Sequence, residues 1–239
     1  MQTALVTGAR RGMGLEFTRQ LLSRGDTVLA TVRDPDSAPQ LRALGEAHPG
    51  RLQILCLDVS DHSSIRKLGP AVKRLVPQLD LLVNNAGINS KAVKPHQSNT
   101  RFGSLEPEGI LRMVAVNAIG PVLVTQALTE SLQQSPGARV ISVSSWLGSI
   151  AGKTRGGNYG YCASKTTLNM LTRAMAFDLL PLGIVSVVFN PGWVRTDMGG
   201  PRAKLGVDES VAGMIRVTGG LTEADAGRFL QWDGSDLPW

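Results

Sequence analysis

Two hydrophobic rhythms alternate along the chain. Short apolar runs of strand length are TALVT (3–7), DTVLATV (26–32), RLQILCLDV (51–59), LDLLVNNAG (79–87), ARVISVSSWLG (138–148), GIVSVVFNPG (183–192) and GRFLQWDG (227–234). Between them, apolar positions recur every three or four residues. The helical stretches are 15–25, 35–48, 60–76, 108–132, a segment from YCASK to about Leu182, and a short piece near Glu209 to Val217. The first rhythm suits buried strands and the second amphipathic helices. Their alternation predicts an α/β chain: one Rossmann-type, doubly wound parallel sheet of about seven strands with helices on both faces. Asp34, followed by Pro35, is a candidate N-cap, and so is Ser60. Residues 88–107 form the longest polar, turn-rich stretch, and loops of that length on such a scaffold often border a site. With no repeat and no linker-like segment, residues 1–239 are expected to be one domain.

Composition narrows the setting. Of 239 residues, 42% are hydrophobic, enough for a large core. Cys56 and Cys162 lack metal-ligand spacing, as do His48, His62 and His96, so no metal site is expected. The cysteine usage points to a reducing, cytoplasmic environment. No run reads as long and apolar enough to span a membrane, and MQTALVTG enters a strand with no leader pattern. The net charge of +6 permits a nucleic-acid or anionic-lipid partner. The basic residues are scattered, however, so no nucleic-acid partner is expected.

Candidate chemistry begins at TGARRGMG (7–14), a glycine-rich turn between a strand and a helix. Gly8 allows the tight turn, Gly12 lets backbone approach a pyrophosphate at the helix N-terminus, and Gly14 lets helix and sheet pack closely. A fold of this kind that selects NAD carries an acid at the tip of its second strand. Here Arg33 stands at that tip, and Arg10 and Arg11 lie in the glycine turn. Guanidiniums suit a 2′-phosphate, so NADP(H) is the expected cofactor. Asp58 either bonds an adenine edge together with the next backbone N–H or begins a turn. Asn85, Ala86 and Gly87 suit either close packing against a cofactor or a plain turn.

Tyr161 and Lys165 stand four residues apart, on one face of a helix. A positive charge roughly 4 Å from the phenol favours its ionised form by up to about 3 pKa units. Such a tyrosine would exchange a proton near neutral pH. Asn117 lies on the apolar face of its helix, either plugging local backbone or belonging to a site. Trp146 and Trp193 suggest an apolar wall beside the site or ordinary core packing. The basic residues Lys153, Arg155, Arg195, Arg202 and Lys204 either attract an anionic substrate or are solvated loop charges.

In order and spacing, TGARRGMG, NNAG, Asn117, the serine pair before WLG, YCASK and PGWVRT resemble the short-chain dehydrogenase/reductase family over essentially the whole chain. The PGWVRTDMGG segment and the DGSDLPW ending look like its C-factor and sniffer-like carbonyl reductase branch. The resemblance implies that Tyr161 protonates a carbonyl oxygen and that Lys165 binds the nicotinamide ribose and lowers the Tyr161 pKa. It implies that Ser145, in S-x-x-G, is the catalytic serine ahead of Ser144. Asn117 would hold a water linked to Lys165. Gly8, Arg10, Arg11, Gly12, Met13, Gly14, Arg33, Asp58, Val59, Asn85, Ala86, Gly87, Tyr161, Lys165, Pro191, Gly192, Val194 and Thr196 would contact the cofactor. The implied partners are a small-molecule carbonyl or alcohol and further copies of the chain, as a homodimer or homotetramer. The rival reading is an NADP(H)-binding signalling protein of low turnover.

Overall fold

A computed structural model describes residues 1–97 and 100–239. The strands are β1 (Thr3–Thr7), β2 (Thr27–Val32), β3 (Leu52–Cys56), β4 (Leu81–Asn84), β5 (Arg139–Val143), β6 (Val185–Asn190) and β7 (Phe229–Gln231). They form one seven-stranded sheet in the order β3-β2-β1-β4-β5-β6-β7, with every pair parallel. The helices are α1 (Gly12–Arg24), α2 (Pro39–Ala47), α3 (His62–Leu75), α4 (Pro107–Val114), α5 (Gly120–Gln133), α6 (Tyr159–Leu179) and α7 (Val207–Gly219).

Strand alternation divides the core into two layers. Ala4 and Val6 of β1 face one cluster with Phe17, Leu21 and Met214. Leu5, between them, faces the other with Val72, Val124 and Leu128. This is why apolar runs without alternation read correctly as strands buried on both faces. The strand order reverses between β1 and β4, and in sheets of this kind ligands bind beyond the carboxyl ends of the strands at that point.

Several expectations need correction. Asp61, not Ser60, caps α3, its carboxylate accepting from the Ser63 N–H at 2.9 Å. Ser60 instead donates to Asp58. Residues 35–48 split into a 3-10 turn, Pro35–Ser37, and α2; Asp34 does cap the turn, accepting from the Asp36 N–H at 3.0 Å. The polar stretch 88–107 holds two short 3-10 turns, Ser90–Ala92 and Pro95–Gln97, while its residues 98 and 99 lie outside the described ones. The run Pro107–Gln133 is, against expectation, long and apolar enough to cross a membrane by length and composition. Its apolar side chains Val116, Val124, Leu128 and Leu132 pack into the core beside the sheet. That run is not uniform: a π turn, Ala115–Ile119, joins α4 to α5 and carries Asn117.

Candidate active site

The glycine turn fits an anion. Gly8 has φ +68°, and a Cβ there would sit 2.9 Å from the Ala86 Cα. Gly12 has φ +57° and lies beside Thr196. Only glycine adopts such conformations without strain. A Cβ on Gly14 would sit 2.3 Å from the Gly8 carbonyl, so α1 approaches the sheet as closely as backbone allows. The start of α1 has no side-chain cap and no acid in its first turn. Its free N–H groups therefore favour a phosphate.

Thr7 and Asn85 hold this turn from beneath. The Thr7 hydroxyl accepts from the Asn85 and Ala86 N–H groups at 3.0 Å each. The Asn85 amide donates to the Thr7 and Gly8 carbonyls at 2.9 and 3.3 Å. Asn85 thus locks β4 to the turn through its side chain. Val59 is pressed close as well: a Cβ on Gly120 would lie 2.4 Å from its carbonyl. Asp58 accepts twice from Ser60. Burial raises its pKa, but the Ser60 hydrogen bonds and the charges of Arg33 and Arg112 outweigh burial and hold it low.

Around the turn the arginines diverge. Arg10 and Arg33 are exposed and form no ion pair among the described residues. Arg11, expected with them, instead pairs with Asp197 at 2.5 Å across the cleft. Lys91 donates to the Asp197 carbonyl at 3.3 Å. The reason is proximity: Thr196 packs over Gly12 and carries Asp197 to the arginine. An open groove of about 690 Å³ runs beside the turn, bounded by α1, α2 and residues 195–197, and it does not reach Tyr161.

The second half of the site is buried. Lys165 is 4% exposed, and its ammonium donates to the Val143 carbonyl at 2.8 Å. It lies 5.9 Å from the centre of the Tyr161 ring. The Ser145 hydroxyl, which accepts from the Leu147 N–H at 3.1 Å, stands beside the Tyr161 phenol and acts to lower its pKa. Ser144, the weaker serine candidate, is turned away and donates to Asn169 at 2.6 Å. Tyr159 stacks at an angle on Phe102 rather than joining this cluster.

The electrostatics differ from the expectation that Lys165 lowers the tyrosine. Burial dominates and pushes Tyr161 up to about 12, opposed only in part by the Ser145 hydrogen bond. The same burial pushes Lys165 down to about 8. Both ionised forms lose hydration, and the ammonium turns to a carbonyl rather than to the phenol. The resting tyrosine is neutral, a proton donor.

The Asn117 side chain is committed to neighbouring main chain. Its side-chain oxygen accepts from the Ile88 N–H at 2.7 Å, and its amide donates to the Ile88 carbonyl at 2.8 Å and to Ser164 at 2.9 Å. It therefore fixes the irregular segment that follows β4. A Cβ on Gly87 would lie 3.3 Å from the Asn117 oxygen and 3.7 Å from the Lys165 nitrogen, so Gly87 leaves room above both.

One residue escaped the sequence reading. Asn190, buried at the end of β6, accepts from the Trp146 N–H at 2.9 Å and from the Gly192 N–H at 3.3 Å. Its amide donates to Gln231 at 2.7 Å. It joins the Ser145 turn to the Pro191–Gly192 turn, where Gly192 has φ +80°. An amide at the end of an apolar strand, just before Pro-Gly, was the available signal. Beyond it, Val194 pairs with Leu205, and the Thr196 hydroxyl accepts from the Gly199 N–H at 3.1 Å.

The model of the short chain dehydrogenase family matches residues 2–204. The chain belongs to the short-chain dehydrogenase family. C-signal of Myxococcus xanthus is 42% identical over 161 residues, covering 67% of this chain and 93% of that relative. The NADPH-bound carbonyl reductase from chicken fatty liver is 36% identical, with a TM-score of 0.92 over 100% of this chain and 99% of that one. The carbonyl reductase Sniffer of D. melanogaster is 32% identical, with a TM-score of 0.92 over 100% of both chains. Within the family, the chain falls in the branch of C-signal and Sniffer. It is an oxidoreductase by family.

Proposed function

We propose that this protein reduces a carbonyl compound (an aldehyde, ketone or quinone) to the alcohol with NADPH. The observation that carries this reading is the cluster of Tyr161, Ser145 and the buried Lys165, whose ammonium lies 5.9 Å from the centre of the Tyr161 ring. The glycine turn, the uncapped start of α1 and the NADPH-bound neighbour support the cofactor. Main chain at Gly8 and Gly12–Gly14 would hold the pyrophosphate, and Arg10 and Arg33 the 2′-phosphate. Asp58 and Val59 would meet the adenine, and Asn85–Gly87 and 191–196 the nicotinamide half. When bound, NADPH supplies the hydride.

The protein supplies the rest. Ser145 and Tyr161 both hydrogen-bond the carbonyl oxygen and stabilise the negative charge it gains. Tyr161 gives that oxygen its proton, and its phenolate is tolerated because the Lys165 ammonium lies nearby. Lys165, whose ammonium is held by the Val143 carbonyl, would also reach the ribose hydroxyls of a bound cofactor and would return a proton to the Tyr161 phenolate. The Asn117 side chain is committed to Ile88, and Pro121 lacks the N–H that an α-helix would aim at the Asn117 carbonyl. That carbonyl is the atom of Asn117 left to hold a water.

NADPH consumption at 340 nm across aldehydes, ketones and quinones tests the reading, with Tyr161→Phe in parallel. The variant is expected to bind NADPH normally and to lose about 10²–10⁴-fold in turnover. Equal turnover in both proteins would overturn the mechanism. The likeness to C-signal supports a second reading, an NADP(H)-binding signalling protein. Both proteins binding NADPH yet remaining inert across the panel would favour it.

We read the chain as one cytoplasmic domain that carries both sites. Exposed Leu111, Ile119, Met170 and Phe177 on the α4–α6 surface support pairing between copies of the chain. A single sedimenting species of 25.4 kDa would contradict pairing.

A further inference from the structure

Beyond β7 the chain turns back on itself. Gly234 has φ +98°, Leu230 pairs antiparallel with Asp236, and the Leu237 N–H donates to the Phe229 carbonyl at 2.9 Å. Arg228 holds Asp236 at 2.8 Å. Trp239 then stacks on Phe229, with ring centres 5.3 Å apart. The Arg173 guanidinium lies 5.0 Å from the Trp239 ring and 5.9 Å from that of Phe177, and it also donates to the Gly227 carbonyl at 3.3 Å.

This segment ends against the active-site connection. The Ala151 N–H donates to the Trp239 carbonyl at 2.8 Å. Ser149, 3% exposed, donates to the Pro238 carbonyl at 2.6 Å and lies 3.1 Å from that of Trp239. The same hydroxyl accepts from the Gly152 N–H at 2.9 Å. Residues 149–152 belong to the stretch that joins Ser145 to Tyr161. Its far end is tied by the Asn158 N–H to the Thr100 carbonyl at 3.0 Å.

We propose that residues 235–239, through Trp239, are a positioning element that fixes the 149–152 turn and thereby sets the selectivity of the site for large carbonyl substrates. This rests on the reductase reading above. Two grips act independently on this stretch. The Ser145 turn is held by α6, whose Thr166 and Asn169 both donate to the Gly148 carbonyl at 3.1 Å, and by Asn190. The next turn is held by the tail. Each grip carries one exposed apolar side chain: Trp146 (48%) belongs to the first, and Ile150 (72%), between Ser149 and Ala151, to the second. Releasing residues 235–239 therefore frees the Ile150 side of the apolar wall while leaving Trp146, Ser145 and Tyr161 in place. The effect falls on substrates large enough to touch that wall.

The test compares Trp239→Ala, Trp239→Phe and Ser149→Ala with wild type. It measures kcat and KM for a short aliphatic aldehyde and for a two-ring aromatic quinone, the Kd for NADPH, and amide exchange across 149–152. Trp239→Ala is expected to raise KM for the quinone about tenfold and to leave the aldehyde KM, kcat and the NADPH Kd within about twofold. Exchange at 149–152 is expected to quicken about tenfold or more. Trp239→Phe, which keeps an aromatic ring, is expected to stay near wild type. Ser149→Ala is expected to follow Trp239→Ala and stands in for it if that variant fails to fold. Equal loss for both substrates, failure of Trp239→Phe to rescue, or unchanged exchange would overturn the proposal. If wild type reduces neither substrate, the reductase reading falls with its selectivity clause, and exchange at 149–152 alone decides whether the tail holds the turn.

Discussion

The two ends of the cleft are built by opposite rules. Around Lys165 the polar groups are buried and committed: ammonium to Val143, Asn117 to Ile88 and Ser164, Ser144 to Asn169, Asn190 to Trp146 and Gln231. Around the glycine turn, Arg10 and Arg33 stand in solvent, and the one pair formed, Arg11–Asp197, is exposed. A proton-transfer centre gains from geometry fixed before the substrate arrives. A phosphate rim has to let a large dianion in and out, and solvated charges on flexible stems do so at little conformational cost. Substitutions at the buried end should therefore move stability, and those at the rim should move cofactor choice.

The largest effect is expected at Asn117→Ala. It leaves the Ile88 N–H and carbonyl unpaired in a part-buried place, a loss of about 4 kcal/mol, read by denaturant unfolding. A stability unchanged within error would break the contrast at its strongest point.

Next comes Lys165→Met, whose sign is opposite. The folded pKa of about 8 lies below the ordinary 10.5, so between these values the unfolded chain holds a proton that the folded one does not. Wild-type stability thus rises with pH from about 8 towards 10.5. Below pH 8 the buried ammonium costs on the order of 3 kcal/mol, so the variant should be more stable at pH 7. That advantage should shrink as pH climbs past 8. Tyr161, raised to about 12, works the other way above pH 10, where unfolding would release its proton. Melting curves of the apo proteins from pH 6 to about 12 check both signs.

At the rim, Arg33→Asp should change stability little and shift preference from NADPH towards NADH by about 1–2 kcal/mol, roughly 5- to 30-fold. Paired dissociation constants for the two cofactors read this directly. The smallest effect is expected at Asp197→Asn. An exposed pair contributes less than about 1 kcal/mol, and freeing Arg11 should tighten NADPH binding by no more than about fivefold at low salt. A large loss of affinity would show that Asp197 itself meets the cofactor.

What could be read from sequence divides along the same line. Chain-local features were legible: apolar runs gave the strand order its raw material, and the Gly8–Gly14 spacing identified the turn because φ and close approach demand glycine there. Arg33 was legible because a strand tip points its side chain to solvent. Commitments between distant segments were not. Nothing within ten residues of Arg11 announces Asp197, and Asn117 carries no mark of its hold on Ile88. The Tyr161–Lys165 spacing was right, but the sign of the tyrosine shift was missed, because burial depends on what packs over a helix rather than on the helix. Asn190 and Trp239 escaped for the same reason: each acts through main-chain groups elsewhere in the fold.

The π turn at 115–119 means that this helix keeps count. One residue more than an α-helix would need offsets everything after it by about 100°. Removing a single residue there would leave composition and hydrophobic content almost untouched. It would nonetheless swing the faces of α5 against those of α4, turning either Asn117 off the Ile88 segment or Val124 and Leu128 out of the core. In this segment, length is information, and a one-residue deletion should be as damaging as the loss of a buried side chain.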